Sequence, residues 1–552
     1  MDQGVLKINY WKAKLPKGGL ALALLLTVIS VMPSVLSMIV LFGKTGFPSA
    51  YARIMDPDVH ATLRFTLFQA TYSALIVIVF APFLALSLFS LPRWAIKFSM
   101  LLRITSFCLP SIVVASGLII AWGNNGYFTQ ILRTMGLDPP FPKIIYSSQA
   151  IIWANSLMNL PFCSAILFRR ILDLADEQLK SAEILGLSTV DIIRVIIWPA
   201  IRPLLLYFAG LTFLLSMGSF GALSILGSGP QAQTLEMGIY NAIYYSADWE
   251  LGGVLTVLHT ILCGIFAFLT IWSLNRSAEA KANAKLNLGN YYQIRSLLFQ
   301  SSWFSLLSTS LTLLFDVLVL SPVLAVAGQA WRHISSGNFS SPSFSILSAL
   351  RVSLSFALPA AGLITLAAWV LSRSHHRAAS QGDVKAASII QLTTISGAII
   401  PPMALGFGLL VLQSSGYFFS IRPQLIASAL TVAMLPFAIS IFLPSYGSRL
   451  ASSNQSRLLL GLNESTFFHK VEWPALRLSA FIVFALSVAL CLNETSIVTI
   501  LGDATSPALT TTMIRLMSQY RFGDSSIVAT LLIVTTFSVV LYFYKSEGGK
   551  DA

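Results

Sequence analysis

Six histidines, four cysteines and a thin scatter of acids are the chain's raw material for chemistry. They do not converge on a nucleophile–base set. His60, His259, His333 and His469 stand apart, and the adjacent His375-His376, beside Arg373 and Arg377, lacks the further ligands a metal ion needs, so a solvated loop accounts for the pair. Cys108, Cys163, Cys263 and Cys491 all sit in apolar stretches without metal-ligand spacing, as buried filler does. Gly43-Lys44-Thr45 resembles the end of a phosphate-binding loop, but Met38 occupies the position where that pattern requires a further glycine. The sequence therefore assigns no catalytic residue, no metal ligand and no cofactor of its own.

Other polar residues are notable for where they sit. Glu494, in Leu492-Asn493-Glu494-Thr495, falls near the end of a long apolar stretch, as do Asp316, Asn155 and Asn159 within theirs. Ionisable groups in such stretches are costly in lipid and tend to face a pathway. Glu494, with Asn493 and Asn159, is the candidate lining of a substrate route, and an anion there would suit a cationic substrate. A helix cap or an interhelical hydrogen bond is the alternative for each.

The elements that must position these residues are apolar helices. The 552 residues are 55% hydrophobic and 10% charged, with a mean hydropathy of +0.76. A soluble domain carries roughly 25% charged residues. The apolar material comes in blocks of about 20 residues, enough to cross a hydrocarbon layer about 30 Å thick as helices. Twelve spans can be drawn: 20–42, 63–91, 98–122, 148–168, 204–225 and 251–274, then 301–327, 350–372, 387–412, 424–444, 479–500 and 525–544. The first is too long for a signal peptide's apolar core and lacks a small-residue cleavage site after it, so it reads as an uncleaved span. The net charge of +13 follows topology and not nucleic acid. With the N- and C-termini cytoplasmic, about 25 of the 35 Lys and Arg fall inside, whereas the outer loop 226–250 has none.

An internal repeat divides the chain. Leu185-Gly186-Leu187 and Trp198-Pro199-Ala200 recur as Leu460-Gly461-Leu462 and Trp473-Pro474-Ala475, at an offset of 275 residues. Leu160-Pro161 and Leu435-Pro436 keep that offset, and Leu63-Arg64 echoes Leu350-Arg351 at a slightly longer one. An even number of spans per copy makes the repeat parallel. The expected domains are a first half, 1–275, a polar cytoplasmic linker, 276–300, and a second half, 301–552. Each half holds one long inner loop, 169–203 and 445–478. Each loop reads as a helix, a glycine break and a second short helix ending before a proline. Ser188 is the expected N-cap of the second helix, with Asp191 at the capping-box position, and Asn463-Glu464-Ser465 is its counterpart.

These loops carry a family resemblance. Lys180-Ser181-Ala182-Glu183-Ile184-Leu185-Gly186, followed by Ile196-Ile197-Trp198-Pro199, resembles the EAA loop of ABC importer permeases. Gly186, Ile196 and Pro199 keep its spacing, as do Gly461, Val471 and Pro474. Lys180 stands where that motif has glutamate, Trp198 replaces its leucine, and Gln455-Ser456-Arg457 replaces the acidic-alanine triplet. Leu226-Gly227-Ser228-Gly229-Pro230-Gln231 through Ile243, with the fused 6+6 layout, is similar to fused thiamine-importer permeases, to which ferric-iron permeases are related.

The resemblance implies an all-α type I importer permease in the bacterial inner membrane, with about 12 transmembrane helices in two parallel six-helix repeats. Ser181, Ala182, Gly186, Leu187, Ser188, Trp198 and Pro199, and in the second copy Gly461, Leu462, Asn463, Trp473 and Pro474, would form the coupling surfaces. Their partner would be a separate cytoplasmic ATPase in two copies, which holds ATP and Mg. A periplasmic substrate-binding protein would deliver thiamine or its phosphates, ferric iron or another small solute, to outer loops including 226–250 and 501–524. A proton-coupled secondary transporter is the rival reading, and it should show buried acid or His relays and no duplicated inner loops. A membrane enzyme lacks a reactive residue set.

Overall fold

The computed structural model describes parts of 21–48 and residues 51–145, 147–174, 176–227, 233–275, 289–299, 301–337, 346–380, 383, 385–390, 400–414, 422–450, 463–503 and 505–548. In chain order its principal helices are α1 (Pro57–Ser87), α2 (Arg93–Cys108), α3 (Ser111–Trp122), α4 (Gln149–Leu172) and α5 (Asp176–Ile184). Next come α6 (Thr189–Met217), α7 (Phe220–Leu226), α8 (Leu235–Tyr244), α9 (Trp249–Asn275) and α10 (Gly289–Leu298). The later elements are α11 (Ser302–Ser335), α12 (Ile346–Ser380), α13 (Pro402–Ser414), α14 (Arg422–Leu450) and α15 (Ser465–Asn493). The chain ends with α16 (Ser496–Leu501), α17 (Leu509–Ser518) and α18 (Phe522–Gly548). It is a polytopic all-α membrane protein.

Among the described residues nine helices are long and apolar enough to cross a bilayer, or ten if one bent pair is a single span. Span 20–42 and the part of span 387–412 before 400 lie largely outside the described residues, so the twelve-span expectation is covered only in part.

Four expected boundaries are corrected. Span 98–122 is not straight: α2 and α3 meet at a 113° bend. Pro110 has no N–H to donate and forces Leu109 into extended backbone (φ −70°, ψ 143°), so the helix must break there. Spans 204–225 and 479–500 start and stop earlier than hydropathy suggests. Helices α6 and α15 begin back in the inner loops, each 29 residues long, and end at Met217 and Asn493, after which α7 and α16 leave as separate half-helices. The expected linker 276–300 is not wholly a polar tether, because 289–298 form α10. Its Tyr291 is 1% exposed and packs with Phe89, Phe168, Ile192 and Ile197 in one apolar cluster.

Helix α1 packs on α4 and α6, as α12 packs on α14 and α15. Helix α11 lies against α18 within its own copy and, across the copies, against α3. There a Cβ on Gly117 would stand 2.6 Å from Pro322, so glycine is what lets these backbones touch. A buried ion pair sits beside this seam. Arg103 of α2, wholly buried, places Nε 3.1 Å from Asp316 Oδ1 of α11 and donates through Nη1 to Ser164 Oγ and the Leu84 carbonyl.

Candidate functional site: the inner projections and the central half-helices

The first inner loop folds as a rooted projection. In α5, Leu179 and Ala182 are buried against the body of the protein, while Glu177, Lys180, Ser181 and Glu183 face out. The helix ends in a Schellman turn: Gly186 N–H bonds the Glu183 carbonyl at 3.1 Å and Leu187 N–H the Ala182 carbonyl at 3.1 Å. That turn requires a left-handed residue, and Gly186 supplies it at φ +59°. Ser188 caps the next helix as expected, its Oγ accepting from Asp191 N at 3.3 Å and donating to the Asp191 carboxylate.

The second short helix does not end before the proline. From Thr189 the chain runs unbroken through Trp198-Pro199 into α6, with one π turn at Ile193–Ile197. The physical reason is local. Pro199 cannot donate, and its ring would strike the carbonyl four residues back in a regular helix. The wider turn, in which Trp198 N–H bonds Ile193 O, makes room. The second copy repeats the device: its π turn spans Phe468–Glu472, and Trp473 N–H bonds Phe468 O. Asn463 directly precedes this helix, as Ser188 precedes its counterpart. Trp198, Pro199, Trp473 and Pro474 are all exposed. Gly461 and Leu462 lie outside the described residues.

Helix α5 is too charged to sit in hydrocarbon, yet Ile184, Leu185 and Val190 on this projection are more than 70% exposed. Apolar side chains clustered on a hydrated surface mark an interaction site. An open groove of about 870 Å³ beside them is lined by Arg170, Glu177, Ser181, Leu185, Leu187 and Pro199, among others. Helix α10 braces the other side: Thr189 Oγ1 donates to Leu297 O at 3.2 Å, Gln293 Nε2 to Glu183 Oε2 at 3.3 Å, and Asn290 Nδ2 to Leu174 O at 2.6 Å.

At the far ends of α6 and α15 lie the half-helices α7 and α16, buried and adjacent, for a Cβ on Gly221 would come 3.2 Å from Thr495 Oγ1. Helix breaks here leave backbone groups that lipid cannot satisfy. Buried side chains satisfy them instead. Gln69 Nε2 donates to Ser216 O at 2.7 Å, Asn155 Nδ2 to Gln69 Oε1 at 2.9 Å, and Ser219 Oγ to Asn155 Oδ1 at 2.8 Å. Glu494 caps α16, accepting from Ser496 N and Ile497 N at 2.9 Å each.

Asn493 donates to Cys108 O at 2.9 Å and Thr536 Oγ1 at 2.8 Å, tying α15 to α2 and α18. Asn159 donates to Asn155 O at 2.9 Å, one turn back in its own helix. Glu494 and Asn493 are thus neighbours at the centre, and Asn159 belongs to the Gln69–Asn155 group.

Three functional-grade residues escaped the sequence reading. Glu236 falls within the expected outer loop 226–250, but α8 is folded into the protein and Glu236 is fully buried. It accepts from Ser496 Oγ at 3.1 Å and Met403 N at 3.3 Å, joining the first copy to the second. Thr234, whose hydroxyl caps α8 three residues ahead of Met237, was the available signal. Arg103, inside an apolar span, was legible by the same rule that singled out Asp316. Glu472 precedes the repeated Trp-Pro and had no counterpart to draw attention to it.

Comparison with known proteins adds the class. Residues 77–278 match the family described as "Binding-protein-dependent transport system inner membrane component", a segment that holds the first projection, its π turn and α7. That segment is thus similar to the inner membrane components of binding-protein-dependent transport systems. Among individual relatives it is 25% identical to the thiamine transport system permease protein ThiP of Brucella abortus over 95% of this chain and 94% of the relative. Against the protein of the same name from Haemophilus influenzae it is 26% identical over 91% and 93% of the two chains. For that of Escherichia coli the figures are 25%, 88% and 89%.

Proposed function

We propose that this chain takes up thiamine or its phosphates by ATP-driven alternating access, with the two projections as the coupling elements. One observation carries the reading: both inner loops open into a span through the same π turn before Trp-Pro, at the same place in each repeat. Twin surfaces of this kind suit a partner with two equivalent sites. That partner is a cytoplasmic ATPase in two copies, which binds ATP and Mg and hydrolyses the nucleotide away from this chain. Ser181, Gly186, Leu187, Ser188, Trp198 and Pro199 form the first docking surface, and Gly461 through Asn463 with Trp473 and Pro474 the second. Ala182 is buried and roots the first projection.

The halves 1–275 and 301–552 lie in parallel about an axis normal to the membrane, with both termini cytoplasmic. ATP binding moves the projections, and the continuous helices α6 and α15 carry that motion about 43 Å, at 1.5 Å per residue, to the half-helices. A periplasmic binding protein delivers substrate at that far end. Transport then follows from differential binding to the two faces. Glu494, at the meeting of α7 and α16, supplies negative character that suits a cationic substrate.

Co-purification and uptake test this reading. The chain should retain an ATPase subunit encoded beside it. Vesicles holding both, with the binding protein outside, should accumulate tritiated thiamine only with ATP. A purified complex without an ATPase, or accumulation of Fe³⁺ in place of thiamine, would overturn the mechanism or the substrate respectively. Glu494→Gln should lower uptake severalfold while assembly is kept; unchanged uptake removes Glu494 from the route.

A further inference from the structure

The two copies differ in what fills one three-helix junction at the root of each projection. In the second copy Arg373 of α12, Tyr446 of α14 and Glu472 of the α15 π turn meet there. Glu472 is 2% exposed. Its Oε1 lies 2.9 Å from Arg373 Nε and accepts the Tyr446 hydroxyl. Its Oε2 has no hydrogen-bond partner among the described residues. The Arg373 guanidinium also stands 5.6 Å from the Trp369 ring centre.

The 275-residue offset carries Tyr446 and Glu472 onto Ile171 and Ile197. The longer offset relating Leu63-Arg64 to Leu350-Arg351 carries Arg373 onto Leu86. These three residues share one apolar cluster, with Ile171 and Ile197 buried and Leu86 packed against them. One junction is therefore sealed by aliphatic packing and its counterpart by an ion pair whose carboxylate is buried and whose guanidinium is partly exposed.

Stability does not explain the difference. Apolar residues of similar volume often stabilise as much as a buried ion pair, and the first copy fills the same junction with three aliphatic side chains. What an ion pair adds is geometry: it holds at one register and fails when its partners slide, whereas aliphatic contacts tolerate small shifts. We propose that Arg373, Tyr446 and Glu472 are positioning residues that clamp the second projection to α12 and α14, so that its movement shifts those helices as one body while the first projection moves more compliantly. This rests on the reading that the projections couple to an ATPase.

The test measures ATP hydrolysis and tritiated thiamine uptake on the same vesicles, with the chain in complex with its ATPase and binding protein. Absence of ATP-dependent uptake by the unaltered complex would overturn the underlying reading, whatever the cluster does. Given such uptake, the triple variant Arg373→Leu, Tyr446→Ile, Glu472→Ile copies the first junction into the second. It should assemble and hydrolyse ATP, with uptake per ATP falling roughly tenfold, because the ion pair and the hydroxyl's bond to the carboxylate are both lost. Tyr446→Phe, which removes one hydroxyl, should lower the same ratio roughly threefold. A purely structural cluster would instead change assembly or thermal midpoint and leave that ratio alone. Uptake per ATP unchanged in both variants overturns the proposal, and if the triple variant does not assemble, Tyr446→Phe decides it by the same criterion.

Discussion

Gly186 shows how much one residue can determine. Among the described residues of the first projection it alone has a left-handed backbone, and beyond its chain neighbours no atom stands within 4 Å of where its Cβ would be. Gly186→Ala therefore tests conformation without steric clash. It should cost about 1 kcal/mol of local order and raise amide hydrogen exchange at Leu185–Leu187, with the rest of the chain unchanged. Exchange no faster than in the parent would mean the Schellman turn does not hold the projection. The glycine, the Ser188 cap and the Trp-Pro pairs were legible because each is a local rule of backbone chemistry. Glu494 stands out in the sequence and a helix cap is one reading of it, which the structure bears out; which helix it caps was not legible, because α16 begins inside a stretch that hydropathy reads as one continuous span.

Elements depend on proline and on what surrounds it. The expected stop at Pro199 assumed a regular helix, where the ring clashes; a π turn removes the clash and makes the second short helix of the loop and the span a single rod, α6. Pro199→Ala restores the missing N–H and lets the turn relax toward a regular helix. The fold should survive, the seat of Trp198 should rotate, and uptake per ATP should fall severalfold in vesicles. A variant with parental coupling would separate the π turn from transmission. Pro110 acted in the opposite sense, breaking a span that composition made continuous, because Leu109 has no wide turn to relieve it. Helix α10 was hidden for a different reason. Its ten residues are polar on average, and only the partners of Tyr291 and Asn290, distant in sequence, show that it is packed.

At the scale of the molecule, the copies are joined by contacts that periodicity does not encode. Arg103–Asp316 and Glu236–Ser496 each link residues more than 200 positions apart. Asp316→Ala strands a buried guanidinium and should cost about 3–5 kcal/mol, seen as a lower unfolding midpoint in detergent. The paired change Arg103→Leu with Asp316→Leu should recover most of that loss. A paired variant as unstable as the single one would show that the seam needs the charges themselves.

The account stands on the projections as the grip of an external motor, and its most direct test is to spoil that grip. Leu185→Asp with Val190→Asp places two charges on the exposed apolar surface of the first projection, where neither native side chain supports the fold. Uptake of tritiated thiamine and ATP hydrolysis should be followed together in vesicles. The expected result is a folded chain that releases its ATPase and loses ATP-driven uptake by at least about tenfold. Uptake still tied to nucleotide turnover at the parental rate would contradict the account.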